Sequence, residues 1–160
     1  MGFRVVVLDE VDEANALIDL FDRALVRDRR HAVALAGHGL ADDLKVIAGI
    51  AGRRLPGVIG VGFAWADRAS KGRNMARMVD TCHDLAPTTA GHIDVSLEGG
   101  AAVTAPPSAR GADRIAEASL IRCLAIALTA AWHMGIYRWD GIFSVRTAAA
   151  ANAWDRFVLA

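Results

Sequence analysis

The chain has 160 residues, with 18 Lys plus Arg against 18 Asp plus Glu, 54% hydrophobic residues and two cysteines. That length suits one core, and the reading is a single α/β domain over 1–160. The charge balance gives no basic surplus for neutralising phosphates, so no nucleic-acid partner is expected.

Residues 3–8 form a β-branched run that ends on Asp9 and Glu10, as a buried strand would. Val11, Ala14, Ile18, Phe21 and Leu25 then recur at helical spacing. Acids open this predicted helix and Arg27, Arg29 and Arg30 close it, which matches the macrodipole. Residues 32–36 read as a second strand, and 41–51 as a helix stopped by Gly52. The β-branched and aromatic run 58–65 predicts a third strand. The spacing of Met75, Met78, Val79, Cys82 and Leu85 predicts a third helix capped by Ser70, with both Cys82 and Cys123 as buried thiols.

The second half is less regular. Residues 92–97 alternate as a half-exposed strand, 99–111 form a long loop around Pro106-Pro107, and 112–134 form an apolar helix. A last strand over 136–145, broken at Asp140-Gly141, precedes a short terminal helix. Three strands alternating with three helices in the first ninety residues predict βαβ units. The expected fold is therefore a mostly parallel or mixed sheet of about five to six strands flanked by helices.

Nucleotide motifs are missing. There is no P-loop, and Asp42 occupies the third glycine position after Gly37-His38-Gly39. The five histidines lack metal-ligand spacing. No cofactor and no metal are expected. The chain opens without a charged-then-apolar leader, and the apolar run 123–134 is short for a bilayer. These features predict a cytoplasmic protein with no membrane partner. The apolar surplus and the apolar helix predict a homo-oligomer.

The segment 67–74 carries the sharpest anomaly. Arg68, Lys71 and Arg73, with Ser70 between them, crowd a predicted helix N-terminus, where cations are disfavoured. A bound anion would resolve that conflict, so these four residues are the expected substrate-binding group for an anionic, phosphorylated-type metabolite. Asp9, His38, Asp67 and Glu98 stand near predicted strand ends, where ligands of open α/β sheets bind. His92 and Asp94, two apart on one strand face, form a candidate oriented base. The expected chemistry is general acid–base catalysis with His38 or His92 as the proton carrier and Asp9 or Asp94 as its orienting partner. The alternative is a non-catalytic oligomeric binding or assembly module.

Overall fold

The computed structural model describes residues 13–69, 75–85, 92–98 and 109–151. The chain divides into two compact units, Val6–Asp84 and Leu85–Ala160 with Met1–Val5. The expected first strand and Asp9 lie outside the described residues, as do Ser70, Lys71, Arg73 and most of the expected loop.

In the first unit, helix α1 (Ala14–His31) is followed by strand β1 (Ala34–Gly37), helix α2 (Leu40–Ala51), helix α3 (Pro56–Ala66) and strand β2 (Arg77–Asp80). The two strands pair in parallel, with Ala34 opposite Arg77 and Gly37 opposite Asp80. A parallel pair needs a crossover, and α2 with α3 supplies it. The register brings both carboxyl ends to the same level. His38 and Gly39 therefore leave β1 beside Thr81, Cys82 and His83 leaving β2.

The five-to-six-strand sheet is not what forms. Helix accounts for 62% of the described residues, and they contain one sheet of two strands. The main correction is α3, where a strand was expected over 58–65. Pro56 opens this helix, and Val58, Val61 and Trp65 are buried at helical spacing. Contacts with α1 decide its state. Buried Asp22 of α1 accepts a hydrogen bond from the Val58 N–H (2.9 Å), satisfying an orphan donor of the first turn. A Cβ at Gly57 would collide with the Asp22 carbonyl oxygen, so glycine is what lets the two helices meet. A short apolar run is compatible with either period, and here the tertiary cap selects the helix.

The expected third helix is corrected in turn. Its described part contains β2, with Met78, Val79 and Asp80 all buried, followed by a turn that leaves Cys82 exposed. Leu25, Leu44, Leu55, Val58 and Val61 form one apolar cluster of this unit. Trp65, Ala76 and Met78 form another, with Leu35 and Leu40 packed against both.

Among the described residues of the second unit, α4 (Ala109–His133) and α5 (Val145–Ala151) are the helices. The strands expected over 92–97 and 136–145 reduce to one parallel bridge, Ile93 with Phe143. Among the described residues the backbone pairing there goes no further, and Asp94 turns its carboxylate to the start of α5. It accepts from the Ser144 hydroxyl (2.6 Å) and the Val145 N–H (2.8 Å). Ile121, Leu124 and Ala125 of α4 pack with Ile93, Val145 and Ala149 as the core. Cys123 lies off that stripe and is exposed, contrary to expectation. The stretch Arg114–His133 has a mean hydropathy of 1.5 and is long and apolar enough to cross a membrane. Only 22% of that stretch is buried within the described structure.

Candidate functional site

The strongest polar constellation lies at the carboxyl ends of β1 and β2, around Asp80. Its side chain is almost fully buried, yet each carboxylate oxygen receives two donors. Oδ1 accepts from the backbone N–H of Gly39 (3.2 Å) and of Cys82 (3.0 Å). Oδ2 accepts from the Trp65 indole N–H (3.2 Å) and from His83 Nδ1 (2.9 Å). Gly39 reaches this position through a left-handed conformation (φ 69°), which glycine adopts without penalty. Burial pushes the Asp80 carboxyl up, but the bonds from Gly39, His83, Cys82 and Trp65 outweigh it and hold the group below its ordinary 3.8.

An ionised carboxylate only accepts, so His83 Nδ1 must carry a proton in this arrangement. The neutral imidazole then presents an unprotonated Nε2. Among the described residues, that nitrogen has no hydrogen-bond partner. The ring is 64% exposed, so a ligand can reach it.

Around this pair, Asp84 accepts the Asp80 backbone N–H (2.8 Å) and a two-pronged contact from Arg68 Nε (2.7 and 3.0 Å). Arg68 Nη1 also donates to the Trp65 carbonyl (3.2 Å). The Thr81 hydroxyl lies 3.1 Å from both the Gly37 carbonyl and His38 Nδ1. The turn after β2 is thereby fixed by the Gly37 carbonyl, His38 and Gly39 at the end of β1, by Trp65 of α3 and Arg68 just beyond it, and by the turn's own side chains.

His83 and Asp80 stand on the edge of a cleft of about 520 Å³ between α2 and α3, a volume typical of small-molecule sites. Ala41, Leu44 and Ala48 form the α2 wall; Val58, Gly62, Trp65 and Ala66 form the α3 wall. Lys45 and Arg68 add cationic side chains, each already paired, Lys45 with Asp42 (2.8 Å) and Arg68 with Asp84. Gly62 costs α3 about 1 kcal/mol relative to alanine.

The expected site residues are distributed differently. Arg68 lines the cleft, and His38 adjoins it through Thr81. His92 and Asp94 belong to the second unit and have separate partners. The His92 ring stacks on Trp132 (4.1 Å between centroids), while Asp94 binds the start of α5. Asp67 ends α3, and exposed Glu98 donates its N–H to Ser96 Oγ (3.2 Å). Asp80 and His83 were missed in the sequence. Their signal was a polar group, Asp80-Thr81-Cys82-His83-Asp84, directly after an apolar pair, which a helical reading of 70–85 concealed.

A scan against protein-family models finds no match, and searches of the curated proteins and of the solved structures find none either.

Proposed function

We propose that the first unit binds a small molecule in the α2–α3 cleft and moves a proton on it, with His83 as the acid–base group and Asp80 as its positioning residue. The observation that carries this reading is the Asp80–His83 hydrogen bond at the edge of a cleft. A buried carboxylate fixes the tautomer and the orientation of the ring, with Nε2 placed to take a proton from the ligand. Asp80 itself stays ionised, because its four donors stabilise the charged form. The apolar walls hold the substrate body.

Hydrolysis of p-nitrophenyl acetate, a chemical probe for a reactive imidazole, tests the proposal. All variants are made in a Cys82→Ser background, which removes the neighbouring exposed thiol. His83→Gln should lower the protein-dependent rate at least about tenfold, as expected for loss of a general base. Asp80→Asn should give an intermediate rate. An unchanged rate in His83→Gln would overturn the reading.

The assembly reading has its own observation. Val46 and Ile50 of α2 and Phe63 of α3 are large apolar side chains left exposed. A second copy of the chain covering them would account for the apolar surplus.

A further inference from the structure

Three glycines punctuate α3. Gly57 admits the Asp22 backbone carbonyl, and a Cβ on Gly60 would fall 2.5 Å from the Arg29 guanidinium, the movable end of a flexible side chain. Gly62 has no such neighbour, since a Cβ built there meets nothing within 4 Å. The space beside it is the cleft. Glycine inside a helix weakens it, and packing does not require glycine here. What its small size does provide is an open wall one turn from Trp65 and Ala66, on the face shared with Val58.

We propose that Gly62 is the specificity-determining residue of the cleft, admitting a flat, mainly apolar, uncharged ring system against the α3 backbone. This rests on the cleft being the ligand site. The class of ligand follows from the walls. Ala41, Ala48 and Ala66 are short, while Leu44 and Val58 supply apolar contact. Arg68 is held by half-buried Asp84, and the Lys45 ammonium lies out in solvent beside exposed Asp42, so neither places a buried charge in the cleft for an anion. A ligand charge entering this space would lose hydration without a dedicated partner. One polar atom at the ring edge, within reach of His83 Nε2, completes the fit.

A pair of fluorescent probes sharing one ring system tests this: neutral N-phenyl-1-naphthylamine and its sulfonated relative 8-anilinonaphthalene-1-sulfonate. Wild-type protein should bind the neutral probe more tightly, by about fivefold or more, since the sulfonate adds a charge without a partner. Gly62→Leu projects a side chain into the cleft and should weaken the neutral probe at least tenfold. Gly62→Ala should weaken it only two- to threefold. Both variants should melt no lower than wild type, which separates a blocked cleft from a damaged fold. Tighter binding of the sulfonated probe would overturn the assigned ligand class. Equal binding of the neutral probe by wild type and Gly62→Leu would overturn the role of Gly62 and leave the Asp80–His83 reading standing. If wild type binds neither probe, the cleft is not a ligand site, and both this inference and the proposed function fall.

Discussion

Asp80→Asn is the substitution that the structure makes most informative. Each carboxylate oxygen serves two donors: Gly39 and Cys82 on one side, Trp65 and His83 on the other. An amide has one oxygen, so either orientation of asparagine turns its NH₂ group toward one pair. One pair contains the buried Trp65 indole N–H and the other the half-buried Gly39 N–H, each beside a donor of an exposed residue. Stranding a buried donor costs about 1–3 kcal/mol, and the exposed donor adds little because water replaces the carboxylate. The full cost applies when the Trp65 side is stranded and the lower end when the Gly39 side is. For a chain of this size, that lowers the melting temperature by roughly 2–12 °C. Asp80→Ala strands all four donors and should fall further. The assay is thermal unfolding followed by circular dichroism at neutral pH. An Asp80→Asn melting temperature within about 1 °C of wild type would refute the four-donor account.

The remaining predictions concern pH, packing, thiols and assembly. Because the folded Asp80 lies below its ordinary 3.8, its contribution is complete above that value and is lost as pH falls through the lowered one. The melting gap between wild type and Asp80→Asn should therefore narrow below about pH 3.8, and a constant gap would count against the cause assigned. Asp22→Ala removes the cap on Val58 and should cost about 0.5–2 kcal/mol by denaturant titration. Gly57→Ala forces α1 and α3 apart and should cost about 1–3 kcal/mol by the same titration. Both cysteines are exposed, so a thiol reagent should label two sites in the native protein, contrary to the sequence expectation. Desolvation raises the Cys123 thiol against the opposing effect of Arg122, so its labelling should accelerate as pH rises through the alkaline range, read by mass spectrometry. Light scattering at micromolar concentration should show a dimer or larger species that Phe63→Ser weakens. A 17.0 kDa monomer would contradict this.

Much of the helix placement was legible in the sequence. Ile18, Phe21 and Leu25 mark the face that α1 turns to its neighbours, and the apolar run after Ser119 marks α4. Strand β1 and helix α2 also lie close to their expected positions. The error began at 58–65, where β-branched residues and Trp65 fit a buried strand as well as a helix. The deciding facts, Asp22 capping Val58 and Gly57 admitting α1, are contacts across 35 residues or more, which no local pattern carries. The spacing of Met75, Met78, Val79, Cys82 and Leu85 likewise fits a helix, although Met78 and Val79 are buried in strand β2. The rule that ligands gather at strand carboxyl ends pointed to His38, which lies beside the site. The partner strand was misassigned, so Asp80 and His83 stayed hidden. Arg68 lines the cleft, with its guanidinium held by Asp84.

The most direct test of the Asp80–His83 account is the tautomer of His83, read by long-range ¹H–¹⁵N correlation spectra at a pH where the ring is neutral. The carboxylate requires Nδ1 to carry the proton, so Nδ1 should show the protonated signature and Nε2 the basic one. In Asp80→Asn that preference should be lost. A neutral His83 protonated at Nε2 in the wild-type protein would contradict the account, because it would leave the ring neither oriented by Asp80 nor able to act as a base from the cleft.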